Sequence, residues 1–446
     1  MLLLRIVCLI VNVPEIVSAF SSVFKQNGFE VYLVGGAVRD MIRGQVVEDF
    51  DFATNAKPEE VQNLFRRVIP TGIKHGTVVV LYRGHSFEVT TYRIDGAYSD
   101  NRRPDTVHYT ASLEEDLKRR DFTINALALD TLTGEVIDPH NGVSDIEAGI
   151  VRTVGDPRER FAEDALRMLR AIRFSCKLSF QIHRETLSAI PGEVFRMADV
   201  SAERIALELQ RIMASATPSE AWRLIRATGM ERYVLPELAV PDDLFEHLIR
   251  SADCAPPERE NLRWAALLHD IGKPETETVI DGALHYPGHE EISARLAEAA
   301  LRRLKLPVNL ISSVSHLVAH HMFGYEQSWS DGAVRRLVSR VGSENFSDLI
   351  ALRLADHCGK GNGLGMPPYL RSLVSRYERI VQSRDPLTRS DLSINGNDLI
   401  TECGLSPGPK IGIVLDELLQ TCMDDPAQNE RETLLKIARA FIARHW

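Results

Sequence analysis

The sequence predicts an α/β head followed by an all-helical body. Short apolar runs at 32–34, 77–82 and 85–92 alternate with helix-like patterns over roughly the first 150 residues, the signature of strands interleaved with helices. From about 181 to 445 the apolar positions recur at helical spacing, with Gly and Pro at the joins. A length of 446 residues with 44% apolar content supplies core for two to four domains.

The elements follow in order. The opening MLLLRIVCLIVNV is apolar but holds Arg5. It is too short to span a bilayer and lacks a signal peptide's basic start and small-residue cleavage site. A buried strand or an extension is expected there. Residues 14–27 predict an amphipathic helix, with Pro14 in a favoured first-turn position and Ile16, Phe20, Val23 and Phe24 on one face. Strand residues Tyr32, Leu33 and Val34 run into Gly35-Gly36, a short helical stretch and Asp49-Phe50-Asp51. Pro58 opens a helix that aligns Val61, Leu64, Phe65 and Val68. Residues 77–82 and 85–92 read as strands paired around an Arg83-Gly84 turn. The polar, aperiodic stretch 95–109 predicts a long loop, a kind that is often functional. Residues 113–130 return to a helical pattern bearing Lys118, Arg119 and Arg120, as a solvated face or a phosphate clamp. Residues 134–149 read as hairpin and turn, and 158–177 as one helix with Phe161, Leu166, Leu169, Ile172 and Phe174 apolar.

The chemistry concentrates at 33–54. Side chains alternate faces along a strand, so Asp49 and Asp51 share one face, about 7 Å apart, and Phe50 and Phe52 share the other. Such a carboxylate pair can grip a divalent metal. Gly36 lets backbone approach a phosphate with no Cβ in the way, and Arg39 follows close behind to pair with it. The stretch predicts a nucleoside-triphosphate and metal site. Glu88, on a neighbouring strand, fits either a third carboxylate or an ordinary exposed strand residue. Asp164, Arg167, Arg170 and Arg173 recur every third residue and form a row drifting slowly around their helix. The row fits structural ion pairs, and it also fits base selection. Adenine and cytosine present an amino donor beside a ring-nitrogen acceptor, which one Asp and one Arg can match while guanine and uracil present the reverse order.

Six scattered cysteines (8, 176, 254, 358, 403 and 422) form no CxxC pair. That argues against a zinc knuckle or disulfide framework and for a reducing, cytoplasmic setting. A net charge of −10 speaks against bulk attraction to nucleic acid, although local basic clusters count for more. No stretch suggests a membrane segment. In the body, RWAALLHDIGKP places His269 beside Asp270. An adjacent His and Asp can share a metal. His247, His289, His320, His321 and Asp356 are further candidate ligands, and HLVAHHM leaves the choice between its last two histidines open. Packed core histidines are the alternative.

The runs LVGGAVRD…EDFDFAT, FEVTTYR, DGAYSDNRRPD, LKRRDFTINALA and EDALRMLRAIRF together resemble, in order, the class II tRNA nucleotidyltransferases (CCA-adding enzymes). The resemblance implies an α/β nucleotidyltransferase head, polymerase-β-like with a mixed sheet, over 1–150. It further implies nucleotide-selecting and RNA-binding neck helices over 151–245, an HD-type helical domain over 246–375 and a helical tRNA-binding tail over 376–446. Asp49 and Asp51 would hold two Mg2+ ions for a two-metal nucleotidyl transfer, with Glu88 as a third acid. Gly36, Arg39 and Arg120 would bind nucleotide, and Asp164, Arg167, Arg170 and Arg173 would select it. The implied partners are tRNA, ATP and CTP, and the implied reaction is template-independent addition of C, C and A to the tRNA 3′ end. Addition of A alone and poly(A) synthesis are the near alternatives. IPTGIKHGTVVV departs from the poly(A) polymerase pattern, and CC-only enzymes lack the DGAYSDNRRPD loop found here. A reading of another class is an HD-type phosphohydrolase whose transition metal sits at His269 and Asp270.

Overall fold

The computed structural model describes residues 6–72, 76–95 and 107–446. The expected loop at 95–109 therefore lies mostly outside the described residues. The chain divides into two compact units, Met1–Ala239 and Val240–Trp446.

The first unit begins with β1 (Ile6–Ile10), α1 (Glu15–Gln26), β2 (Val31–Val34), α2 (Gly36–Ile42), β3 (Phe50–Thr54) and α3 (Pro58–Leu64). Next come β4 (Val68–Gly72), β5 (Thr77–Tyr82), β6 (His85–Thr91), β7 (Arg93–Asp95), β8 (Val107–Tyr109), α4 (Leu113–Lys118), β9 (Ala128–Leu129) and β10 (Glu135–Ile137). Eight strands form one sheet in the order β1-β10-β9-β2-β3-β6-β5-β4. Among the described residues of this sheet β3 and β6 run parallel and the other pairs are antiparallel, so the sheet is mixed as expected. The opening apolar run supplies the edge strand β1, against β10.

Alternation along β3 holds. Phe50 and Phe52 are buried while Asp49 and Asp51 are exposed. On the apolar face Phe20 of α1 stacks on Phe65 and Phe87 at 4.9 and 4.4 Å between ring centroids. A fully buried Phe side chain contributes about 1.5–3 kcal/mol, so this cluster anchors α1 and orients the opposite, acidic face outward.

The rest of the first unit is helical: α5 (Gly142–Ala148), α6 (Pro157–Glu163), α7 (Leu166–Leu178), α8 (Arg184–Glu193), α9 (Ala202–Met213), α10 (Pro218–Ala227) and α11 (Glu231–Val234). Two expectations are corrected. The stretch 134–149 contains α5, whose first N–H groups, Gly142 and Val143, donate to the Asp138 carboxylate at 2.8 and 3.0 Å. The single helix expected over 158–177 is broken at Asp164, which is extended (φ −149°, ψ 102°). Its Oδ1 accepts from Leu166 N at 3.1 Å, a local side-chain bond of the kind by which Asp competes with helix continuation.

The second unit holds α12 (Asp242–Cys254), α13 (Glu260–Leu268), α14 (Lys273–Thr276), the hairpin β13–β14 (Thr278–Ile280, Ala283–His285; the two-residue strands Ile150–Val151 and Gln181–Ile182 of the first unit are β11 and β12), α15 (His289–Arg303), α16 (Val308–His320) and α17 (Asp331–Val341). It continues with α18 (Ser343–His357), α19 (Pro368–Gln382), α20 (Gly396–Cys403), α21 (Pro409–Asp424) and α22 (Arg431–His445). The last three share a core of Leu399, Val414, Leu418 and Leu434. The scattered cysteines argue against a disulfide framework, yet one bond is present among the described residues: Cys254 and Cys358 are joined. They stand 104 residues apart and meet where α12 and α18 end, which no local spacing could reveal. No helix among the described residues is long and apolar enough to cross a membrane.

Candidate active site

A cleft of about 380 Å³ in the first unit is lined by Gly35, Gly36, Arg39, Asp51, Arg119, Arg120, Asp121, Asn125, Asp164, Arg167, Arg170 and Phe174. Asp51 reaches it from β3, and Asp49 borders a neighbouring hollow that also takes in Asp51 and Gly36. In the parallel β3–β6 pair Asp51 is in register with Glu88. Both carboxyls are held above the usual range. Partial desolvation acts first on each; Asp49 adds to it at Asp51 against the opposing Arg120, and Asp51 adds to it at Glu88. Asp51 is thus coupled electrostatically both to Asp49 and to Glu88.

Strand β2 turns into α2 through Gly35, whose φ of +75° lies in the left-handed region. A Cβ there would stand 3.2 Å from Arg120 Nη1, so glycine is required both for the turn and for the approach of Arg120. Arg120 and Arg119 are fixed by Asp116, which is fully buried. Its Oδ1 accepts from Arg119 Nε and Nη2 at 3.0 and 2.7 Å, and its Oδ2 from Arg120 Nη2 at 3.1 Å. Burial pushes the Asp116 carboxyl up, but the two guanidiniums outweigh it and hold it below the usual range. Lys118, of the same basic run, is exposed and does not line the cleft. Arg39 is buried, forks onto Asp40 at 2.8 Å through Nε and Nη2, and donates to Asn125 Oδ1 at 2.7 Å.

The row on α7 divides. Arg167 and Arg170 line the cleft, whereas Arg173 does not. Three residues advance a helix by about 300°, so each step turns the side chain back by some 60°. By Arg173 the row faces the buried Glu208 of α9, with which it forms an ion pair while lying 4.0 Å over the Phe174 ring. Arg167 donates to Glu163 Oε2 (2.5 Å), Arg160 O (3.2 Å) and Arg119 O (2.9 Å). Arg170 donates to Asp121 Oδ2 at 2.8 and 2.6 Å. Sequence reasoning missed Asp116, Asp121, Asn125 and Glu163. The signal available for them was weak: acids and amides three or four positions from an arginine.

The second unit gathers the histidines. His247 (α12), His269 and Asp270 (just past α13), and Asp356 (α18) form one metal-ligand group, and Asp270, His289 (α15) and His321 (just past α16) form another. Within each group one ligand atom per residue lies within 4.8 Å of the others. Asp270 belongs to both. Its Oδ2 is 3.2 Å from His269 Nε2 and 3.6 Å from His247 Nε2, while its Oδ1 is 3.0 Å from His289 Nε2 and 3.3 Å from His321 Nε2. Backbone carbonyls take the other ring proton: Nδ1 of His269, His289 and His321 donates to Ala266, Tyr286 and Val318 at 2.9, 2.7 and 2.7 Å. That bond fixes the tautomer that offers Nε2 to a metal. Asp270 Oδ1, His289 Nε2 and His321 Nε2 are buried without a hydrogen-bond partner among the described residues, the state of atoms arranged for an ion, while Asp356 Oδ1 lies 2.8 Å from Lys360 Nζ. Burial pushes His269 down, but with no cation between them Asp270 and Asp356 outweigh it and raise its pKa to about 9, so the metal-free ring is protonated and Nε2 would have to release its proton to serve as a ligand. His320, the other candidate, is outside both groups; its Nδ1 donates to His316 O at 2.9 Å.

A mixed sheet with acids beside an arginine-lined cleft defines a nucleotidyltransferase head. The family model described as Poly A polymerase head domain matches residues 31–152. The model described as probable RNA and SrmB-binding site of polymerase A matches 179–240, and that described as tRNA nucleotidyltransferase domain 2 matches 289–438. The CCA-adding enzyme of Geobacillus kaustophilus is 37% identical over 412 residues, covering 92% of this chain and 93% of that protein. The CCA-adding enzyme of Lactiplantibacillus plantarum is 36% identical over 418 residues, 92% of each. The crystal structure of the Bacillus stearothermophilus CCA-adding enzyme in complex with CTP superposes with a TM-score of 0.77 at 30% identity, over 96% of this chain and 98% of that one. The chain belongs to the family of CCA-adding enzymes.

Proposed function

We propose that the chain adds C, C and A, without a nucleic-acid template, to the 3′ end of tRNA from CTP and ATP. The observation that carries this is a single cleft lined both by Asp51, of the acidic cluster, and by Asp164 and Arg167, whose donors and acceptors suit adenine and cytosine. The three acids suit Mg2+. Asp49 and Asp51, with Glu88 beside them, would hold two such ions, which would supply activation of the tRNA 3′ hydroxyl and charge stabilisation of the triphosphate and departing pyrophosphate. The chain's own residues do the rest. Gly36 opens backbone to the phosphates, and Arg120, braced by Asp116, neutralises them. Arg39 braces the cleft through Asn125. Asp164 accepts from the base amino group and Arg167 donates to the ring nitrogen. Arg170 acts beside them through its pair with Asp121, while Arg173 supports the helix from behind through Glu208. We further propose a cytoplasmic setting, in keeping with a tRNA substrate. The test is to supply tRNA ending before or after CC with both nucleotides and to sequence the 3′ ends. Completed CCA supports the proposal; A alone on CC ends, or long A tails, would replace it with A addition or poly(A) synthesis.

A second activity is favoured by one observation, the shared-Asp270 ligand cluster. We propose residues 246–375 of the second unit as an HD-type domain holding a transition metal, since imidazole-rich sets with carboxylates suit such ions. The reaction is a weak metal-dependent phosphoester hydrolysis. A cavity of about 680 Å³ that includes His247 lies beside the cluster, lined by Arg250, Lys273 and Lys360 and also by Asp243, Glu246 and Glu277. Unchanged phosphatase and cyclic phosphodiesterase rates in pure His269→Ala protein would end this reading.

A further inference from the structure

The Cys254–Cys358 bond closes a 104-residue span. Within it lie His269, Asp270, His289, His321 and Asp356 of the ligand cluster, while His247 lies outside. His247 stands on α12 two turns before Cys254, and Asp356 stands in the last turn of α18 just before Cys358. The bond therefore ties together the two helices that bring His247 and Asp356 to the first metal-ligand group. Across this junction His247 Nε2 is 3.3 Å from Asp356 Oδ1. The turn Cys358–Asn362 that follows α18 packs hard on α12: a Cβ at Gly359 would stand 2.9 Å from Ser251 N and 3.0 Å from His247 O. His289 and His321 come from α15 and the end of α16, which the bond does not touch. Both bonded cysteines are half-buried, so a reductant reaches the sulfurs, whereas the free Cys176 and Cys422 are buried. In a reducing setting a disulfide is as a rule transient or redox-sensing rather than structural.

We propose that the Cys254–Cys358 bond is a redox switch on the metal site of the second unit. Oxidised, it holds His247 against Asp356 and completes the group with His269 and Asp270. Reduced, it lets the junction of α12 and α18 open and weakens the hold on the ion. This rests on the reading of the cluster as a metal site. The reductant is a dithiol. Its thiolate attacks one cysteine sulfur, forms a mixed disulfide and releases the other cysteine, which takes up a proton; its second thiol then displaces the first cysteine. The Cys254–Cys358 pair gains two electrons and two protons, and the dithiol becomes a disulfide. An ion that needs the closed junction binds more weakly in proportion to the fraction of molecules in which it is closed. The residues lining the nucleotide cleft all precede the span, so nucleotide addition is outside the switch.

The experiment uses the full chain and Co2+ as the probe, titrated anaerobically and followed by visible absorption. Four samples are compared: oxidised wild type, wild type reduced with dithiothreitol and desalted, the double variant Cys254→Ser/Cys358→Ser, and His269→Ala. The serine pair removes thiols that could themselves bind cobalt, and reduced wild type covers the case in which that variant fails to fold. Free-thiol counting checks the redox state, and circular dichroism checks folding. The Kd for Co2+ should rise about tenfold on reduction and in the serine pair, as for a junction closed in about one molecule in ten. Reoxidation with oxidised glutathione should restore binding to reduced wild type and leave the serine pair unchanged. Nucleotide addition to tRNA should be equal in oxidised, reduced and serine-pair protein. If oxidised and reduced protein bind Co2+ equally while His269→Ala binds it poorly, the switch is overturned and the metal site stands. A free-thiol count that does not change on reduction also overturns the switch. If oxidised wild type and His269→Ala bind Co2+ alike, the metal-site reading fails and the inference falls with it.

Discussion

Replacing Asp116 by Asn tests how the cleft is charged. Asp116 has no exposed side-chain surface and receives three hydrogen bonds from Arg119 and Arg120, whose side chains are 19% and 18% exposed. Asparagine keeps the shape but removes the charge and gives one oxygen an amide that cannot accept. Losing a buried charge partner costs about 3–5 kcal/mol; both arginines reach water at their edges, which lowers the expected cost to about 2–4 kcal/mol. The assay is urea unfolding followed by tryptophan fluorescence in a background with Trp264, Trp329 and Trp446 replaced by Phe, which leaves Trp222, buried in the same unit, as the reporter. The pH dependence has a definite sign. The folded Asp116 carboxyl lies below its unfolded value, so its contribution is complete above about pH 4 and is lost as pH falls through the depressed value. The gap between wild type and Asp116→Asn should be constant from pH 7 to 5 and narrow below 4. KM for ATP and CTP should rise together, because both triphosphates meet the same Arg120. A gap below about 1 kcal/mol at pH 7, or one that persists unchanged at pH 3, would refute the reasoning.

Three further outcomes are expected. Asp51→Asn should abolish nucleotide addition while tRNA binding, read by filter retention, stays within about twofold, since the metal chemistry is lost and the basic surface is kept. Gly35→Ala combines a left-handed φ with a 3.2 Å approach to Arg120; it should cost about 1–2 kcal/mol by urea unfolding and raise KM for both nucleotides. Reducing or removing the Cys254–Cys358 bond frees a 104-residue span and should lower the stability of the second unit by about 2–4 kcal/mol in calorimetry, with no change in nucleotide addition.

Much of the site was legible because its signals are local. Asp49 and Asp51 share a face by strand alternation alone, and burial of Phe50 and Phe52 bears this out. The arginine row on α7 was also visible, but not where it ends: Arg173 turns away to Glu208, 35 residues on. The break at Asp164 escaped notice because a helix pattern with good formers on both sides gives no sign of a side chain competing for Leu166 N. The histidines were visible as candidates, yet adjacency in HLVAHHM could not separate His320 from His321. On the helix end these point about 100° apart, and only one meets Asp270.

The sequence by itself determined the element order, the apolar faces and the chemistry each segment carries, because periodicity sets the direction of a side chain relative to its own strand or helix. Only the tertiary structure decided which candidates converge. Asp51 meets Glu88 through the parallel pairing of β3 with β6, Asp164 meets Arg204 across 40 residues, and the two metal-ligand groups draw on five separate stretches joined through Asp270. Convergence depends on how elements remote in the chain pack together, and packing is set by the shapes of buried surfaces rather than by any local spacing.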